Sequence, residues 1–227
     1  MDTAYQDLAR RILTLANANA PNRILVGVAG PPGSGKSTVM EHVVNSINVM
    51  PSSGRRLQAV GVSLDGFHYT RAQLDTFDDP IDAHRRRGAP WTFDVPAILE
   101  FIHLLQGSKT DLSSRVDLAA PTFDHAVKDP VAGGCIITAA ADIVVLDGNY
   151  VLYDQDGWRD VTQALDFRVF IHVEDAVARV RVAKRHVFAD IEPTLESGEK
   201  RYDSNDGLNA KLIREHLLPH DFEVKSV

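Results

Sequence analysis

The sequence predicts an α/β protein, a doubly wound and mostly parallel sheet of about five strands with helices on both faces. Three observations predict it. Four short β-branched runs are apolar on both faces and end in polar or glycine residues, as strands covered on both sides do. Patterns of helical period lie between them, and alternating strand and helix implies right-handed crossovers in one parallel sheet. The chain of 227 residues, 44% hydrophobic and 24% charged, has the composition of one ordinary globular domain, expected over 1–227.

Each element follows in order. Leu8, Ile12 and Leu15 recur at helical spacing among Asp2, Asp7, Arg10 and Arg11, predicting an amphipathic helix docked on the core. The first strand is "RILVGVAG" from Arg23, followed by a helix over Ser37 to Ile47 with Val39, Met40, Val43, Val44 and Ile47 on its apolar side. The second strand is "LQAVGVSLDG" from Leu57; a helix follows over Val95 to Leu105. "ADIVVLDGNY" from Ala141 and "DFRVFIHVED" from Asp166 are the third and fourth strands, and Val177 to Phe188 the next helix. Two polar stretches, Thr70 to Thr92 and Ala189 to Asn209, are too long for simple connections and read as a substrate-side insertion (about 66–94) and a helical lid (about 179–207).

Composition narrows the function. A formal charge of −7 provides no basic footprint, so nucleic acid and anionic membrane surfaces are not expected partners. No apolar run approaches the roughly 18 residues that span a bilayer. A lone cysteine, Cys135, excludes an internal disulfide framework, reads as a packed small residue, and fits a reducing, cytoplasmic setting. No H-E-x-x-H or C-x-x-C spacing signals structural zinc. Monomer and homodimer both remain open.

Gly30-Pro31-Pro32-Gly33-Ser34-Gly35-Lys36-Ser37 fits G-x-x-x-x-G-K-[ST] in full, after a strand and before a helix, which defines a P-loop. The two prolines lack N–H groups, but they precede the run Gly33 to Thr38 whose amides would wrap the phosphates of a nucleoside triphosphate. Lys36 offers a point charge to the β- and γ-oxygens and Ser37 a hydroxyl to Mg²⁺. No guanine-reading N-K-x-D segment occurs, which disfavours a GTPase switch.

A kinase needs an acceptor site, and "SLDGFHYT" (Ser63 to Thr70) supplies a candidate. Asp65 falls at a strand's carboxyl end, where ligands bind in open α/β sheets; it can take a proton from a hydroxyl or hold a metal-bound water. His68 and Tyr69 then flank the cleft mouth. Arg85, Arg86 and Arg87 could meet an anionic acceptor or pair with Asp75, Asp78, Asp79 and Asp82; Arg87, beside Gly88 and Pro90, is the contributor expected at the site. Asn149 is expected to face the cleft, and Tyr150 to face it or to fill the sheet edge.

The P-loop, "SLDGFHYT", "RRGAPWTFD" (Arg86 to Asp94), "PTFDHAVKD" (Pro121 to Asp129), "VVLDGNYVL" (Val144 to Leu152) and "RVAKRH" (Arg181 to His186) occur in the order seen in the uridine kinase and phosphoribulokinase family, which includes bacterial type pantothenate kinases. The sequence resembles that family over about residues 21–215. It is similar to an unassigned nucleoside or sugar kinase-like branch carrying an "ND-x-x-N" segment, matched by Asn205, Asp206 and Asn209. The resemblance implies the P-loop NTP hydrolase/kinase fold, ATP with Mg²⁺, Asp65 as general base, Asp147 beside Ser37 on the metal in place of the more usual Glu, and Arg181 and Arg185 of the lid on the phosphates, with Lys184 nearby. Phe123 and Asp124 match the acceptor-reading segment of uridine kinases, whereas Lys128 and Pro130 stand where that segment has His and Arg.

The expected function is therefore phosphoryl transfer from ATP to a hydroxyl of a small metabolite, a nucleoside, a sugar or a pantothenate-like compound. The nucleotide would rest on Gly30, Gly33, Ser34, Gly35, Lys36, Ser37 and Thr38, and the acceptor on His68, Tyr69, Arg87, Phe123 and Asn149. The competing expectation is a regulatory ATP-binding protein that hydrolyses slowly. The segment "SNDGLNAKL" from Ser204 is a candidate lining of the base site.

Overall fold

The computed structural model describes residues 2–50, 55–107 and 115–227. After helix α1 (Asp2–Asn19) come strand β1 (Ile24–Ala29), helix α2 (Lys36–Val49) and strand β2 (Ala59–Ser63), which ends in a 3₁₀ turn over Leu64–Phe67. Short helices α3 (Arg71–Leu74) and α4 (Pro80–Arg85) precede α5 (Val95–Gly107) and a hairpin of β3 (Leu118–Asp124) and β4 (Asp129–Ile137). The rest is β5 (Ile143–Asp147), α6 (Trp158–Gln163), β6 (Phe167–Val173), α7 (Asp175–Phe188), α8 (Leu195–Arg201), a π-turn over Tyr202–Asp206, α9 (Gly207–Glu215) and β7 (Phe222–Ser226).

The sheet runs β2-β5-β1-β6-β7, with every neighbouring pair parallel. All six residues of β1 are buried, as the centre of a sheet covered on both faces requires. On one face Leu8 and Ile12 of α1 and Val39, Val43 and Ile47 of α2 pack against Val26, Val28, Val145 and Val169. On the other, Ile98, Phe101, Ile102 and Leu105 of α5 meet Leu25, Val144, Leu146 and Phe170. Alternate strand residues thus feed two cores.

The chain leaves β1 toward β2 on one side and later returns to β6 on the other, so the switch point of the sheet lies at the carboxyl end of β1. That places the P-loop at the cleft. Two strand regions lay outside the sequence expectation. β7 buries only Val224 fully, and the antiparallel hairpin is half-exposed with a register shift between Ala120 and Thr122, so neither presents a strong period-two pattern.

Candidate functional site

The loop between β1 and α2 curls over its own prolines. The Pro31 carbonyl accepts from the Ser34 amide at 3.1 Å and from the Lys36 ammonium at 3.2 Å. One amide of the Gly33 to Thr38 run is therefore engaged inside the loop. Gly33 has φ +80°, and a Cβ there would lie 2.9 Å from the Ala178 carbonyl, so α7 lies directly against the loop. Between them is a cleft of about 260 Å³ with Gly33, Gly35, Lys36, Ser37 and Thr38 on one wall and Arg181, Val182 and Arg185 on the other. Gly30 lies beneath, against Ser34 and Ile171.

Charge is concentrated under this cleft. Asp147 ends β5 in register with Val28 and with Ser63, so it faces both the P-loop and the strand that leads to Asp65. Ser37 Oγ donates to Asp147 Oδ2 at 2.9 Å, while Oδ1 is buried with no partner among the described residues. Burial pushes the Asp147 carboxyl up, the nearby Asp65 charge adds to the rise, and Lys36 and Ser37 oppose it. Burial likewise lowers Lys36 to about 8 against the pull of Asp147 and Asp65. A buried carboxylate oxygen without a donor beside a serine hydroxyl is a hard oxygen pair suited to a magnesium-sized cation.

Asp65 lies in the 3₁₀ turn, its amide 3.4 Å from the Ser63 hydroxyl that caps it. Its carbonyl accepts the His68 amide at 3.2 Å and meets His68 Nδ1 at 2.9 Å. Gly66 lets the hairpin approach: a Cβ there would stand 2.2 Å from the Pro121 carbonyl. The His68 ring packs 3.8 Å from Phe93 and 5.4 Å from Phe123. Burial lowers its pKa, which keeps the imidazole neutral near pH 7.

A second cleft of about 380 Å³ opens on this side, lined by His68, Asp94, Ala119, Pro121, Ala132 and Gly133 among others. Asp94, the last residue of the "RRGAPWTFD" segment, carries no role in the sequence expectation; its Oδ1 accepts from the Ala97 amide at 3.0 Å and caps helix α5. Its place in the cleft wall depends on the fold.

The remaining expected residues divide. Arg87 donates to the Tyr69 carbonyl at 2.7 Å, to Asp129 at 3.0 Å and to the Lys128 carbonyl, with its guanidinium 5.2 Å from the Phe123 ring centre. Of the other two arginines, Arg85 pairs with Asp82 and Arg86 reaches Asn209. Tyr69 packs edge-on against Phe77, and Asn149 is half-buried just beyond Asp147. Tyr150 is fully buried with its hydroxyl on the Gly88 carbonyl at 2.8 Å, so of its two expected placements it takes the interior one. Arg181 donates to the Gly33 carbonyl at 3.3 Å, Ser226 Oγ at 2.7 Å and the Val227 carbonyl at 2.6 Å, which ties α7 to the P-loop and β7. Arg185 and Lys184 are exposed, and Arg179 turns away to Asp203 and Glu199.

A P-loop at the switch point of a parallel five-stranded sheet, with a cationic helix over it, defines the P-loop kinase class. The comparisons agree. The model described as "Phosphoribulokinase / Uridine kinase family" matches residues 25–189, and the chain belongs to that family. It is 33% identical over 225 residues to a Schizosaccharomyces pombe protein described as "Putative uridine kinase C227.14", covering 99% of this chain and 92% of that one. It is 36% identical to the ATP-dependent kinase YFH7 of Lachancea thermotolerans, covering 89% of this chain and 65% of that longer protein. The crystal structure of YFH7 from Saccharomyces cerevisiae superposes with a TM-score of 0.88 at 25% identity, over 98% of this chain and 99% of that one.

Proposed function

We propose that this chain is a kinase that transfers the γ-phosphoryl group of ATP to a hydroxyl of a small, uncharged acceptor. One observation carries the reading: Asp65 lies in the turn that directly follows Ser63, which is in register with the Ser37-bonded Asp147, and directly precedes Gly66, Phe67 and His68, which line the second cleft. Such transfer is mainly positioning and charge neutralisation. Lys36, the free amides of Gly33 to Thr38 and the helix α2 N-terminus hold the triphosphate, the exposed Arg185 reaches it from α7, and Arg181 fixes α7 against the P-loop. Ser37 and Asp147 would hold Mg²⁺, which would supply charge neutralisation for the transferring phosphate.

Asp65 accepts the proton of the acceptor hydroxyl as that oxygen bonds to the γ-phosphorus and the bond to the β-phosphate oxygen breaks, releasing ADP. The acceptor rests against His68, Phe123 and Tyr69, with Asp94 and Asn149 within its surroundings. Charge argues for a neutral acceptor. Arg87 is already committed to Asp129 and two carbonyls, His68 is held neutral, and Asp65 and Asp94 are carboxylates. Among the described residues that line the second cleft, an anionic acceptor would meet no uncommitted cation.

The test is ADP release with Mg²⁺·ATP and a panel of nucleosides and sugars beside their phosphates and pantothenate. Stimulation by a neutral member, abolished in Asp65→Asn while nucleotide still binds, is the expected result. Acceptor-independent hydrolysis unaffected by Asp65→Asn would overturn the reading in favour of a regulatory ATP-binding protein. An anionic compound as the best acceptor would overturn its charge argument.

A further inference from the structure

Asn205 and Asn209 are buried, at 6% and 1% exposure, yet they contact neither the P-loop nor the 3₁₀ turn of Asp65 through any hydrogen bond among the described residues. Both reach one corner of the acceptor-side insertion. Asn205 Nδ2 donates to the Arg87 carbonyl at 3.2 Å, and Asn209 Oδ1 accepts from Arg86 Nη2 at 2.9 Å. The corner is gripped from the core side as well, where Tyr150 donates to the Gly88 carbonyl. Beyond it, the Arg87 guanidinium continues to Tyr69 and to the hairpin at Lys128 and Asp129.

The same segment faces the nucleotide side. The π-turn over Tyr202–Asp206 follows α8 and begins α9, and extra-residue turns of this kind re-aim side chains inside a helix. Here the next residue, Asp206, meets His186 of α7 at 3.6 Å, and its charge acts on Lys36. Helix α7 carries Arg181 and Arg185 over the P-loop. One short segment thus touches α7 on one side and the acceptor loop on the other.

Buried amides at such a contact specify position more than they stabilise, since an apolar pair would bury at lower desolvation cost. Asn205 Oδ1 is also buried without a partner, so the amide is only half satisfied and the contact is inexpensive to open. We infer that Asn205 and Asn209 are positioning residues that set the Arg86–Gly88 corner, and with it the acceptor wall, according to whether the cleft between α7 and the P-loop holds nucleotide. The inference rests on the P-loop and lid holding a nucleotide, as in the kinase reading, but needs no identified acceptor.

Hydrogen exchange of the full chain, with and without magnesium and a non-hydrolysable ATP analogue, tests it. In the unmodified protein nucleotide slows exchange both in Gly33–Thr38 and in Arg86–Asp94, the second by about three- to tenfold, the worth of one or two net hydrogen bonds. In Asn209→Ala and Asn205→Ala the P-loop protection stays and that of Arg86–Asp94 is lost. Asn209→Asp, which keeps an oxygen for Arg86, restores it, whereas Asn205→Asp, which loses the donor, does not. A merely structural role would lower thermal stability equally with and without nucleotide and show no such rescue pattern. Full protection of Arg86–Asp94 in both alanine variants, or none in the unmodified protein while the P-loop is protected, overturns the inference alone. No P-loop protection overturns the nucleotide reading and the inference together.

Discussion

Nucleotide binding should draw a proton from solution, and the amount can be worked from Lys36. Its pKa is lowered to about 8 because burial at the loop outweighs the support of the Pro31 carbonyl, Asp147 and Asp65. A triphosphate beside it supports the charged form fully, so the complex keeps the proton throughout the neutral range. At pH 8 about half the free protein lacks that proton, so binding takes up about 0.5 proton per nucleotide, falling to about 0.1 at pH 7. Titration calorimetry at pH 8 in two buffers of different ionisation enthalpy reads this number directly. Lys36→Met should abolish the uptake and weaken binding severely.

The same lysine affects the unliganded fold with a defined sign. Its folded-state pKa lies below its unfolded value, so the charged form costs stability below about pH 8, and the cost fades as pH rises from about 8 toward 10.5. Allowing for the solvent that reaches this half-buried side chain, Lys36→Met should stabilise the free protein at pH 7 by about 2 kcal/mol, raising Tm by roughly 4–8 °C. Tight nucleotide binding at pH 8 with no proton uptake, or a Lys36→Met protein that melts lower than the parent, would refute the reasoning.

Other substitutions probe the supports of the site. Gly66→Ala drives a Cβ into the Pro121 carbonyl and should cost about 3 kcal/mol, read as a lowered denaturant midpoint, because backbone on both sides leaves little room to relax. Tyr150→Phe removes the donor from the Gly88 carbonyl, so a loss of about 1 kcal/mol in thermal stability is expected with nucleotide affinity unchanged in fluorescence titration. Asp142 is 2% exposed, accepts the Gln58 amide at 3.0 Å and pairs with Arg115 and Arg55; Asp142→Ala should cost about 3–5 kcal/mol in chemical denaturation by stranding buried positive charge.

Much of the site was legible because its parts are contiguous. The P-loop declares itself in eight residues, since its glycines, lysine and hydroxyl act through local backbone geometry. Asp65 was legible as the end of an apolar run, which a parallel sheet turns toward one edge of a cleft, whereas Asp147 was singled out by the family resemblance. Arg87 shows the limit. Its sequence neighbours suggest a place at the acceptor site, with an upstream acidic partner as the alternative, but its carboxylate is Asp129, brought in by a hairpin without a strong strand pattern.

By itself, then, the sequence determined the alternation of strand and helix, the phosphate cradle and the strand-end carboxylate Asp65, all of which follow from periodicity or from runs of a few residues. The tertiary structure alone decided which strands are neighbours, that Asp147 lies in register with both Val28 and Ser63, that Asp94 faces a cleft, and that Asn205 and Asn209 grasp the Arg86–Gly88 corner. Those contacts join residues tens to more than a hundred positions apart. Their partners are chosen by how the two cores pack and by where buried polar groups can be satisfied, which no local pattern encodes.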